Sequence, residues 1–226
     1  MLKRPFVIAA VLFGATRFAD AQPPAESAPS TPSSTTSSEA MEDPQVGDHW
    51  TYEVRDDISG DLKFTMVQTV TDISATDINI RQTELNNPGV GFLTFDRSWN
   101  VKNNGTWRYS PGDGTGIGSP FEVGKSWPVK SNDVNIAANV TFRRTGTSKV
   151  TARENVTTSA GTFNAYKIET SIQAINTKDP SRKYQVVQIS WYAPEVDHWV
   201  KRSTETRIDG RLRDKSAVEL VEYGRR

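Results

Sequence analysis

Beyond Val46 the chain is cut at short intervals by turn-forming residues, and between the cuts apolar and polar side chains alternate. A period of two belongs to strands with one buried face. No stretch of useful length carries the 3.6-residue spacing of an amphipathic helix. Ser59-Gly60 joins strand-like runs at 49–56 and 62–70, and Asn86-Asn87-Pro88-Gly89 follows a run at 78–85. Asn103-Asn104-Gly105 joins 97–102 to 106–110, and Asp209-Gly210 joins 200–208 to 211–221. Asn-Gly and Asp-Gly are the pairs that a type I′ hairpin turn favours, because both central residues need positive φ.

The cleanest alternation places Val134, Ile136, Ala138, Val140 and Phe142 on one face, opposite Asn135, Asn139, Thr141 and Arg143. This predicts a half-buried strand there, turned by Thr145-Gly146 into 148–156. Tyr166, Ile168, Ile172 and Ala174 again share a parity, and Lys178-Asp179-Pro180-Ser181 closes a hairpin into 184–191. Segment 156–163 reads as a longer connection carrying Gly161, and 111–120, rich in glycine, as a loop. Residues 215–222 fit either a strand or a short helix. Ten to twelve short strands in an antiparallel meander would curl as a flat sheet, so the expected fold is all-β, a barrel or a strongly bent half-barrel. The aromatics at 159–199 mark its packed centre.

The first 45 residues read differently. Met1-Leu2-Lys3-Arg4, an apolar run from Phe6 to Phe13 and Ala19-Asp20-Ala21 have the layout of a signal peptide, cleaved before Gln22. The apolar run is far short of the roughly 20 residues that span a bilayer, so no transmembrane span is expected in the mature chain. Residues 22–45 are dominated by proline, serine and threonine, a composition that cannot offset ordering entropy; they read as a disordered tether before a β domain at 46–226. The expected location is outside the cytoplasm, in the periplasm or secreted. The chain has no cysteine, so an exported fold must rest on its core rather than on disulfides. Without residues 1–21 it carries 24 basic and 26 acidic side chains, which argues against nucleic acid as a partner.

Few residues speak for chemistry. Asp48-His49-Trp50 and Asp197-His198-Trp199 contain both histidines, and imidazole with carboxylate could hold zinc or copper. Neighbours on a strand point to opposite faces, so the simpler reading puts each aspartate in a turn and each tryptophan in the core. The glycine-rich 111–120 has no following helix and no Gly-Lys-Ser/Thr ending, so it reads as a mobile loop at a barrel mouth rather than a phosphate cradle. No cysteine nucleophile and no Gly-x-Ser-x-Gly elbow occur, and no catalytic residue is assigned. Among the six tryptophans Trp107, with Tyr109, is the candidate for ligand contact, beside the 103–105 turn and the glycine loop.

Val46-Gly47-Asp48-His49-Trp50-Thr51-Tyr52, Phe121-Glu122-Val123-Gly124-Lys125-Ser126-Trp127, Gly161-Thr162-Phe163-Asn164-Ala165-Tyr166 and Trp191-Tyr192-Ala193-Pro194 together resemble exported bacterial proteins of the DUF3108-like or TapB-like group. The resemblance implies a barrel-like antiparallel fold in the cell envelope and transfers no activity or site residue. The expected function is a non-catalytic binding or assembly module, without a cofactor, for an apolar or glycan ligand or an envelope protein. The alternative is an envelope-glycan hydrolase using carboxylates at the barrel mouth, with Asp56-Asp57 or Glu53 and Glu84 as candidates.

Overall fold

The structure, a computed structural model, describes residues 44–118 and 120–224. The expected leader at 1–21 and nearly all of the tether at 22–45 lie outside the described residues. Twelve strands follow in order: β1 His49–Asp56, β2 Leu62–Ile73, β3 Asp77–Glu84, β4 Asn87–Asp96, β5 Val101–Asn103, β6 Arg108–Ser110, β7 Ser126–Asn135, β8 Val140–Thr158, β9 Gly161–Asn176, β10 Lys183–Ala193, β11 His198–Ile208 and β12 Arg211–Gly224. Each pairs antiparallel with its neighbours in sequence, and β12 pairs with β1 to close the barrel. The all-β closed meander is the expected fold, and the 215–222 segment belongs to a strand. Closure is thin at β5 and β6, where only Thr94 and Phe95 of β4 pair with β5 and only Asn132, Asp133 and Val134 of β7 pair with β6. The strands are not uniformly short, because β8 and β9 run to 19 and 16 residues.

Three local expectations are corrected. The apolar-polar rhythm at 134–143 runs through a hairpin turn at 136–139, where Ile136 is 62% exposed and Asn139 has φ 50°. Thr145-Gly146 is no turn but lies within β8, where a Cβ on Gly146 would sit 2.1 Å from the Ser171 carbonyl oxygen of β9. An isolated glycine inside a strand often marks such close backbone approach. Segment 156–163 is not a long connection either. β8 and β9 pair as far as Thr158–Gly161, and the hairpin tip reaches β12, with Ser159 N–H donating to Glu219 (3.2 Å) and Phe163 edge-on to Tyr223.

The two turns expected to be type I′ differ from each other. Asp209 (φ 49°) and Gly210 (φ 80°) both adopt positive φ between the paired residues Ile208 and Arg211, as that turn requires. At 104–107 only Gly105 does so, and the Asn104 side chain instead accepts hydrogen bonds from the N–H groups of Thr106 and Trp107.

Inward-facing side chains form an aromatic layer beside the 3-10 turn Pro194–Val196. Trp50, Trp99, Trp199, Phe95, Tyr52 and His198 are all buried there. Trp50 meets Trp99 edge-on at 5.7 Å, a geometry aromatic quadrupoles favour. The indole N–H groups find acceptors, Trp50 on Val196 O (2.9 Å) and Trp99 on Asp197 Oδ1 (3.5 Å).

The glycine-rich segment after β6 does not sit at the mouth. Gly112, Asp113, Gly116 and Ile117 are buried, and Ile117 joins the core. A Cβ on Gly116 would lie 2.2 Å from Ser98 O and one on Gly114 2.5 Å from a Val129 methyl. The segment is rich in glycine because its backbone is pressed between β4–β5 and β7, so it is an internal plug and the expectation of a mobile mouth loop is wrong.

Candidate ligand site in the barrel interior

The plug and the aromatic layer leave a cavity of about 260 Å³ between them. Met66, Leu93, Phe95, Val101 and Val218 supply apolar wall, and Gln68, Asn104, Tyr109, Asp113 and Arg202 bring polar groups to it. Asn104 is exposed and marks the side from which solvent reaches it.

Arg202 reaches this cavity because β11 carries a bulge. Trp199 pairs with Tyr192 and Lys201 with Trp191, so Val200 is an extra residue and the parity of the strand resets. Trp199 and Arg202, three residues apart, therefore both face inward, where a regular strand would send them to opposite sides. The guanidinium carbon lies 3.7 Å from the Trp199 ring centroid, within cation–π range. Nε donates to Ser190 Oγ (3.0 Å), and Nη2 is buried without a hydrogen-bond partner. Burial lowers the Arg202 pKa to about 10, an effect that Asp113 offsets only in part.

Asp113 comes from the plug, and its carboxylate already accepts from Val101 N–H (3.0 Å), Thr115 N–H (3.1 Å) and Thr115 Oγ1 (2.6 Å). Burial, outweighing those donors, raises its pKa. Gln68 is 5% exposed; its Nε2 donates to Gln82 (3.0 Å) while its Oε1 has no partner. Tyr109 accepts from Asn104 Nδ2 (3.2 Å), which leaves its own proton available, and burial raises its phenol pKa to about 12.

A second buried cation lies next to this site. Arg144 Nε donates to Asp133 Oδ2 (2.8 Å), Nη1 to the carbonyl of Asp113 (3.2 Å) and Nη2 to Tyr184 OH (3.2 Å). Tyr184 donates to the same Asp133 oxygen at 2.6 Å. Burial alone would lower the Arg144 pKa, and Tyr184, Asp133 and Asp113 more than reverse it.

The two candidates from the sequence part company. Tyr109 lines the cavity. Trp107 does not; its ring packs against Phe142 at 6.0 Å. A wider groove of about 710 Å³ lies between the β5–β6 and β7–β8 turns, lined mainly by exposed turn residues. Arg202 and Gln68 had no motif to single them out, and the bulge that turns Arg202 inward leaves no mark in composition.

The Asp-His-Trp motifs do meet, through Trp50 and His198 rather than as a ligand set. Trp50 stacks on His198 with centroids 4.5 Å apart. His198 is fully buried, its Nδ1 2.6 Å from Tyr52 OH, whereas His49 precedes the inward Trp50 and points to Glu222 on the outer face (3.1 Å). Among the described residues no three His, Cys, Asp or Glu side chains converge as a metal site. The candidate carboxylates for hydrolysis are each held locally: Glu53 by Arg55, Asp57 by Lys215, Glu84 by Asn87, and Asp56 by Lys63 and two backbone N–H groups. Among the described residues no helix is long and apolar enough to cross a membrane.

No curated protein matches the sequence. Two crystal structures share the fold: one of a protein described as a lipoprotein from Parabacteroides distasonis (TM-score 0.53, 14% identity, 80% of this chain and 96% of that one), and one of an exported protein with a YmcC-like fold from Bacteroides fragilis (TM-score 0.50, 14% identity, 80% and 97%). Residues 126–205, from β7 to the inward-facing arginine and tryptophan of β11, match the DUF3108-like family model.

Proposed function

We propose that this chain is an exported, non-catalytic envelope protein whose barrel interior holds a small and largely apolar ligand. The observation that carries this reading is the interior cavity itself. A protein interior is normally packed to crystal-like density, and a solvent-reached cavity lined by both apolar and polar side chains suits a guest better than it suits folding. At about 260 Å³ it lies just below the roughly 300–1,000 Å³ typical of ligand pockets, which points to a short molecule. The export pattern of residues 1–21 supports the envelope location, as do fold relatives described as a lipoprotein and an exported protein.

Native mass spectrometry tests both parts. The full sequence is expressed in a bacterium and purified from the periplasm without detergent. The expected spectrum starts at Gln22 and carries a discrete extra mass that solvent extraction removes. Protein retained in the cytoplasm would overturn the export reading. A bare mass, together with no uptake of added short-chain amphiphiles, would overturn the carrier reading.

A further inference from the structure

Arg202 sits badly for a residue that serves the fold alone. A buried guanidinium is costly unless a counter-charge and hydrogen bonds replace the water it lost. Arg202 is half-buried on the cavity wall; its guanidinium has one hydroxyl and one indole face, and its buried Nη2 has no hydrogen-bond partner. The hydroxyl is itself shared, because Ser190 Oγ also accepts from Gln188 Nε2 (3.1 Å). Among the described residues no carboxylate forms an ion pair with Arg202. The acid that also lines the cavity, Asp113, already accepts three hydrogen bonds from its own segment and its neighbour β5.

The cavity therefore has a cationic group and apolar side chains on one lining, which Gln68, Asn104, Tyr109 and Asp113 share. Resting on the carrier reading above, we infer that the ligand is an organic anion: a single carboxylate paired with Arg202, with a short aliphatic body against Met66, Leu93, Phe95 and Val218. The planar guanidinium offers donors in a fork that matches a carboxylate. Stacking on Trp199 holds that fork in place, so little side-chain freedom remains to be lost on binding. The Tyr109 hydroxyl, which receives a hydrogen bond from Asn104 and keeps its own proton, is a second donor on the cavity wall. The unpartnered Gln68 Oε1 would suit a hydroxyl on the ligand body.

The probes are octanoate, 1-octanol and octylammonium, which share a chain and differ in head-group charge. Binding to the periplasmic protein, delipidated by solvent extraction and refolded to its native circular dichroism spectrum, is followed by calorimetry and by intrinsic tryptophan fluorescence. Octanoate should bind at least tenfold more tightly than octanol, and octylammonium should not bind. Arg202→Met should lose that tenfold preference while keeping its affinity for octanol, and Arg202→Lys should retain part of the preference. The thermal melt of each variant reports whether it folds.

Equal affinity for octanoate and octanol would overturn the anion site and leave the carrier reading standing. Binding of no probe would overturn both. Unchanged octanoate binding by a folded Arg202→Met protein would place the carboxylate elsewhere and overturn the assignment to Arg202.

Discussion

Two arginines lie inside one barrel and are treated in opposite ways. Arg144 is enclosed by Asp133, Tyr184 and a backbone carbonyl, so its charge is matched and each of its three donor nitrogens has a bond. Arg202 is half-buried where Arg144 is buried, and among the described residues no carboxylate forms an ion pair with it and its buried Nη2 has no bond. Their pKa values move in opposite directions as a result, up for Arg144 and down to about 10 for Arg202. The difference separates a residue that completes a structure from one whose surroundings are incomplete without a guest. Burial of a charge does not itself indicate function; the missing partner does.

The comparison breaks most visibly at Asp133. Asp133→Ala leaves Arg144 buried without its carboxylate, and breaking a pair in this way costs about 3–5 kcal/mol. Urea denaturation should show that loss as a lower midpoint, and a change near zero would mean that Arg144 is not held as described. Gly116→Ala comes next. Its Cβ would meet backbone 2.2 Å away, so the plug that carries Asp113 must shift, at a cost of about 1–3 kcal/mol by thermal melting.

Acid adds a smaller effect through His198. Burial first, and the Arg202 charge second, hold its pKa well below the ordinary histidine value. It is neutral in the fold and protonated when unfolded, so the unfolded state binds more protons below about pH 6.5. Stability should fall with pH there, by up to about 1.4 kcal/mol per unit. Asp113, with its raised pKa, adds a slope of opposite sign, so the observable is the difference from His198→Gln, in which the histidine slope disappears. The depressed carboxylates Asp56, Asp77 and Glu222 lose their contribution only below about pH 4. Identical pH profiles for the two proteins would remove His198 from the account.

The smallest change is also the most diagnostic. Arg202→Met removes a charge that has no ion-pair partner from the cavity wall, so the ligand-free protein should gain about 1 kcal/mol or stay unchanged, where a structural arginine would show a loss. A clear destabilisation would put Arg202 in the same class as Arg144.

Much of the architecture was legible in the sequence because hairpins are local. Asp209-Gly210 declares its turn within two residues, and the 178–181 turn between β9 and β10 does nearly as much. Where reading failed, a long-range contact had decided the outcome. Gly146 looks like a turn residue until the β9 backbone pressed against it is seen, and the glycines of 112–118 look like a free loop until Ser98 and Val129 are found beside them. At 134–143 the alternation was real but the turn at 136–139 interrupts it, with Asn135 Oδ1 accepting from Ala138 N–H. Tyr109, chosen for its place next to a turn, lines the cavity. Arg202 was missed because its inward direction depends on one extra residue, Val200, which only the pairing with β10 reveals.

The most direct measurement is a crystal structure of the protein grown with 8-bromooctanoate, with data collected at the bromine edge. The account predicts one anomalous peak inside the barrel, within the cavity, with the carboxylate bonded to Arg202 above the Trp199 ring. Bromine in the groove between the β5–β6 and β7–β8 turns, or an interior holding only water around Arg202, would contradict it.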